Sequence, residues 1–266
     1  MVWVREQWRW VATAMVVVFL GAGAAAWLRR PGPAPVSVEQ AQRRAGPVTA
    51  LAPGDGRPQP GVYLYDGSGR DRLSLPPVSQ SQGPTMPGTV TVGAPGCWTL
   101  RIDYSTHHWQ TWDYCRRGSD LVRTGGRFWQ VWDLGPFSVT NLTSISCSPP
   151  AMVLPADPRV GQTWATGCGG TSTAVSGSMR SAGTLTYLGT AEVDVAGRAV
   201  PTEHFVETRT DTGSQQGSER VEAWLAPGTG LPVRLRQTIS VTTSTPFGRS
   251  TYTQDGTATL ASLRPQ

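Results

Sequence analysis

The stretch that decides the fold runs Cys97-Trp98-Thr99-Leu100-Arg101-Ile102-Asp103, then Tyr104 to His108, then Trp109-Gln110-Thr111-Trp112-Asp113-Tyr114-Cys115. Apolar and polar residues alternate in both arms, the period of a strand with one buried face. Setting Asp103 against Trp109 sets Leu100 against Trp112, Trp98 against Tyr114 and Cys97 against Cys115, so one register satisfies the whole hairpin. Directly opposed antiparallel residues lie about 4.5–5.5 Å apart at Cα, within disulfide reach. One face then carries Trp98, Leu100, Ile102, Trp112 and Tyr114 and reads as core, while Tyr104 to His108 reads as the connecting loop.

The same pattern continues downstream. Segments Arg127 to Leu134 and Phe137 to Cys147 are broken by Gly135-Pro136. After Val160 to Trp164 come Thr184 to Val195, Ala199 to Thr210, Arg220 to Ala226, Leu231 to Thr243 and Ser250 to Leu260, each bounded by Gly-rich or Pro-rich turns. In one of them Val233, Leu235, Ile239 and Val241 point one way and Arg234, Arg236, Thr238 and Ser240 the other, so one sheet face is buried and one is wet. The expected fold is mainly β: a curved antiparallel meander, a half-barrel or open barrel, occupying residues 61–263 as one domain. Pro76 to Gly88, with four prolines and two glycines, reads as a surface loop.

Upstream, residues 29–60 are rich in Pro, Ala and Gly and read as a semi-extended tether, with Val36 to Arg44 able to form a short helical piece. Before it, Trp10 to Leu28 is an uncharged apolar run flanked by Arg5, Arg9, Arg29 and Arg30. As a helix it spans about 28 Å, close to a bilayer's hydrocarbon core. It reads as a single-pass transmembrane helix behind a cytoplasmic segment 1–9. The small residues Ala22-Gly23-Ala24-Ala25-Ala26 keep a cleaved signal peptide and secretion as the alternative.

All four cysteines, Cys97, Cys115, Cys147 and Cys168, lie in the β region. An even number there points to disulfides and an extracytoplasmic compartment; reduced, buried cysteines are the other reading. With Cys97 and Cys115 joined by register, elimination pairs Cys147 with Cys168. The formal charge of +5 comes entirely from arginine on the basic side, and four of the arginines flank the apolar run. The β domain is therefore near neutral, which argues against nucleic acid as a partner. The lysine-free, Ala/Gly/Pro-rich composition is that of a high-G+C genome such as an actinobacterial one.

No segment carries a nucleophile elbow, a zinc-ligand spacing or a cofactor fingerprint, so no catalytic residue, metal site or cofactor is assigned. His107 and His108 are the residues around which an envelope hydrolase would have to be built, if both converged on one cleft. His204, within a strand, reads as exposed or internally satisfied. Seven tryptophans fall in the β region, and Trp109, Trp129 and Trp132 are the candidate binding residues. Trp129 and Trp132 stand an odd number of positions apart and so face opposite sides of a strand.

The segment Glu222-Ala223-Trp224-Leu225-Ala226-Pro227-Gly228-Thr229-Gly230-Leu231-Pro232-Val233-Arg234 resembles the W-x-x-P-x-T-G-L-P-x-R turn of lipoprotein-carrier-like envelope proteins. The resemblance covers the last 80 or so residues and implies a curved sheet whose concave face holds acyl chains. Together these readings lead to a membrane-anchored extracytoplasmic β domain. Its role would be non-catalytic binding of a hydrophobic ligand such as a lipid, an envelope glycan or an envelope protein.

Overall fold

The computed structural model describes residues 32–52, 55–135, 137–245 and 248–266. The apolar run Trp10 to Leu28, its signal-peptide alternative and the cytoplasmic segment lie outside them. Among the described residues, no helix is long and apolar enough to cross a membrane. Among the described residues, one short helix, α1 (Val38–Ala45), precedes thirteen strands. These are β1 (Gly61–Ser74), β2 (Pro77–Gln82), β3 (Thr85–Val92), β4 (Cys97–Ser105), β5 (His108–Arg117), β6 (Asp120–Asp133) and β7 (Ser138–Leu154). They continue as β8 (Thr163–Ser172), β9 (Ser178–Val195), β10 (Arg198–Gly213), β11 (Gln215–Leu225), β12 (Pro232–Thr245) and β13 (Gly248–Leu260).

The strands form the antiparallel meander that alternation predicts, but the sheet closes. Strand β13 pairs with β1 from Tyr65↔Leu260 to Leu73↔Tyr252, making a closed barrel of twelve strands instead of a half-barrel or an open one. Alternation fixes which face of each strand is buried, and it carries no information on whether the first and last strands meet; accumulated twist decides that. The second correction is Pro76 to Gly88. Strands β2 and β3 both pair with one edge of β1, β2 with Gly69 to Ser74 and β3 with Gly61 to Asp66. Pro77 starts β2 and Pro84 falls between the two strands, positions where a missing N–H costs no ladder hydrogen bond.

The hairpin of β4 and β5 has the register read from its sequence, Cys97↔Cys115 through Asp103↔Trp109. Its loop is tighter than expected, because Ser105 pairs with His108 after a bulge and leaves a two-residue turn, Thr106-His107. Disulfides join Cys97 to Cys115 and Cys147 to Cys168. The second one extends the β7–β8 ladder, which has only four residue pairs, Thr143↔Ser172 to Ser146↔Gly169.

The tether region is not free in the structure. Ser37 caps α1 through a reciprocal capping box with Gln40. The helix packs on the outer wall against β1 and β3, with Ala41 buried and Arg44 paired to the buried carboxylate of Asp103 at 2.9 Å. The Ala34 carbonyl accepts a hydrogen bond from the Thr106 amide at 2.8 Å.

Inside the barrel, β1 displays three layers in order. Tyr63 and Tyr65 belong to an apolar plug with Met86, Trp98, Leu100, Ile102, Phe205, Val233 and Leu260. Gly67 and Gly69 follow; a Cβ on Gly69 would stand 2.8 Å from the Asp255 carbonyl oxygen and 2.9 Å from the Gly256 Cα, so glycine is what lets the β13 backbone approach there. Asp71 enters a polar layer, and Leu73 faces a cavity. Strand β12 repeats the order: Val233 and Leu235, then Gln237, then Ile239 and Val241. At the plugged end, the turn that resembles lipoprotein carriers inserts Leu231, 4% exposed, and Gly230 passes so near Leu121 that a Cβ would lie 2.3 Å from its Cδ2.

Candidate functional site

Twelve strands enclose more space than side chains fill, and the unfilled part is a cavity of about 610 Å³ between the polar layer and the open end. Its walls are mainly apolar: Leu73, Phe128, Trp132, Val139, Ile239 and Val241. At the rim, Leu75 and Phe137 line it while remaining 41% and 59% exposed, which marks the mouth.

Long polar side chains make the floor, because only they reach across a barrel this wide. His108 Nδ1 lies 2.9 Å from Asp71 Oδ2, and Asp71 also accepts from Gln82 Nε2 at 2.8 Å and Tyr252 Oη at 3.0 Å. Gln130 donates to Tyr252 Oη at 3.0 Å, and Gln254 donates to Gln237 at 3.2 Å. Burial, and then the Asp71 charge, push the Tyr252 phenol well above its ordinary pKa, so it stays a donor. His108 is fully buried, and its Nε2 has no hydrogen-bond partner among the described residues.

The opposite wall carries charge. Arg123 Nη2 lies 3.1 Å from Glu207 Oε1, Arg209 Nε lies 3.9 Å from the same oxygen, and Arg209 also pairs with Glu219. Burial alone would raise the Glu207 pKa, but Arg123 and then Arg209 outweigh it and hold it down at about 2. Glu219 goes the other way: burial raises its pKa, and Asp211 and Glu207 reinforce that against the pull of Arg209. Asp211, 2% exposed, has neither carboxylate oxygen hydrogen-bonded among the described residues. The wall thus holds two guanidinium groups and three carboxyl groups, of which Arg123, Arg209 and Glu219 reach the cavity.

The residues singled out from sequence scatter over both faces. Trp132 is inside, 4% exposed, edge-on to Tyr252 at 6.2 Å between centroids, and it lines the cavity. Trp109 and Trp129 are cross-strand partners on the outer surface, stacked at 5.9 Å with Arg101 over Trp109. His107 and His108 do not converge: His108 points inward to Asp71, whereas His107 is in the turn, 3.8 Å from Asp133. His204 stacks on Trp224 at 4.3 Å and meets Glu222 at 2.9 Å. Sequence reasoning missed Asp71, Glu207, Arg209, Asp211, Gln237 and Gln254. The signal was there for some of them: Asp71 is in phase with Tyr63, Tyr65 and Leu73, and Gln237 with Val233, Leu235, Ile239 and Val241. A polar residue in the buried phase of a strand marks an internal network.

No family model matches the chain, and no curated protein matches it. Among solved structures it is similar to the hypothetical lipoprotein YmcC from Escherichia coli K12, with a TM-score of 0.34 and 13% sequence identity, covering 83% of this chain and 96% of that one. A likeness at that score carries no argument about fold or function.

Proposed function

We propose that this chain is a membrane-tethered, extracytoplasmic barrel that holds one amphipathic molecule, with its apolar part between the cavity walls and its polar part at the polar layer. The observation that carries the reading is the cavity itself. Its volume, about 610 Å³, lies in the range of pockets that hold a single small ligand, roughly 300–1,000 Å³. Its apolar walls stand above polar groups that fix orientation, the division of labour such pockets use. Two disulfides fit an oxidising compartment, and the apolar run Trp10 to Leu28 supplies the tether.

The test is native mass spectrometry of the full chain purified from its membranes, beside an Ile239→Arg variant that places a charge in the apolar wall. A stoichiometric acyl-bearing adduct on the first and none on the second is expected. Equal adducts on both, or an adduct without an apolar tail, would contradict the reading.

A further inference from the structure

We propose, building on the cavity-binding reading above, that the barrel holds a single-chain lipid with an uncharged, hydroxyl-bearing head of the monoacylglycerol class. Gln130 and Gln237 select that head against carboxylate, phosphate and ammonium.

The polar layer meets the cavity through glutamine amides whose hydrogen bonding is incomplete. Gln130 donates through Nε2 to Tyr252 Oη at 3.0 Å, and its Oε1 has no hydrogen-bond partner among the described residues. Gln237 accepts at Oε1 from Gln254 Nε2 at 3.2 Å and from Tyr104 Oη at 3.4 Å, and its Nε2 is likewise unpartnered among the described residues. The two side chains are buried, at 2% and 5% exposure, and both line the cavity. Their free atoms keep some accessible surface, unlike the enclosed Nε2 of His108. Gln110, beside them, has both amide atoms engaged, by Gln254 and Tyr104. A buried amide atom without a partner calls for one. The floor therefore presents one acceptor and one donor, neither of them charged.

The charged groups at the cavity are already paired. Arg123 is held by Glu207 through hydrogen bonds of 3.1 and 3.4 Å, and Arg209 is paired with Glu219. Arg127 borders the cavity, but it alternates with Gly126 and Phe128 and is exposed on the outer wall. An anionic head would leave water without meeting an unpaired cation at the floor, and a carboxylate or phosphodiester has no hydrogen to give Gln130 Oε1. An ammonium head has hydrogens to give, but it accepts nothing from Gln237 Nε2 and finds no unpaired carboxylate among the lining residues. A hydroxyl does both, donating to the one amide and accepting from the other, and the two hydroxyls of an acylated glycerol can serve the two amides separately. Discrimination comes from buried polar groups left unmatched, so a fatty acid still enters by its chain and is held more weakly.

Competition read by native mass spectrometry tests the assignment. The full chain in detergent is offered monooleoylglycerol, oleate, oleyl phosphate and oleylamine at equal concentration and neutral pH, so that the chains match and the heads differ. On the wild-type chain, monooleoylglycerol adducts at least about tenfold more abundant than each of the others are expected. In Gln130→Leu and in Gln237→Leu, which keep the apolar walls, that preference is expected to shrink to about twofold or less. Equal adducts on the wild type, or more with any charged head, would overturn the head assignment and leave the binding reading standing; so would a full preference retained in both variants. No adduct with any of the four lipids would remove both. The wild-type ratio decides by itself if a variant fails to fold.

Discussion

The carboxylate of Asp71 on β1 and the imidazole of His108 on β5 meet at 2.9 Å inside the barrel, with neither side chain exposed to solvent. Through Gln82 and Tyr252 the same carboxylate reaches β2 and β13, so one side chain ties together the strands on both sides of the closure. Removing it strands several buried groups at once. Asp71→Ala is expected to cost about 3–5 kcal/mol, measured by urea unfolding. A loss below about 1 kcal/mol would show that the network adds little to stability.

The charged wall predicts two opposite outcomes from similar changes. Glu207→Gln leaves the Arg123 guanidinium without its carboxylate and is expected to cost about 3 kcal/mol. Asp211→Asn changes a buried side chain whose carboxyl oxygens have no hydrogen-bond partner among the described residues, and is expected to be neutral or stabilising by about 1 kcal/mol. Denaturant titrations of the two variants settle the ordering, and a more damaging Asp211→Asn would contradict it.

That wall also sets a pH dependence. The folded pKa of Glu219 is raised above its ordinary 4.5, so the stability it contributes is complete below 4.5 and is lost as pH rises through the folded value. The folded pKa of Glu207 is depressed to about 2, so its contribution is present above 4.5 and fades as pH falls toward 2. Because Asp211 raises the Glu219 pKa, Asp211→Asn is expected to flatten the decline above pH 4.5 and to leave the acid limb in place. Unfolding free energies across that range read both limbs, and an unchanged upper limb would refute the coupling.

The disulfides are expected to differ in what they protect. Each closes a short loop, with sequence separations of 18 and 21, and contributes about 3 kcal/mol in the chain-entropy model. Cys147–Cys168 in addition staples the shortest ladder in the barrel. Replacing both of its cysteines by alanine should speed amide exchange in Gly169 to Ser172 before other strands respond, whereas the Cys97/Cys115 double variant should not. Uniform loss of protection in both would contradict a local role.

Much of this fold was legible because a strand's period is short. Trp98, Leu100 and Ile102 against Trp112 and Tyr114 fixed a register to the residue, and with it a disulfide. Closure was not legible, because the Tyr65 to Leu260 pairing joins strands almost 200 residues apart and nothing local to either strand requires it. Pro76 to Gly88 misled because proline counts against a strand on average, while the structure places Pro77 and Pro84 where no ladder hydrogen bond is missed. The site stayed hidden for a related reason. Asp71, His108, Tyr252 and Gln254 become neighbours only after the barrel closes, so their spacing in sequence follows no motif.

The most direct measurement of the central claim is titration of the full chain with a fluorescent single-chain fatty acid such as cis-parinaric acid, exciting tryptophan and reading energy transfer to the polyene. Trp132 lines the cavity, so saturable transfer at one ligand per chain is expected, lost in Ile239→Arg and retained in a Trp109→Ala variant on the outer wall. Saturable binding that survives Ile239→Arg and disappears with Trp109→Ala, or no saturable binding at all, would contradict it.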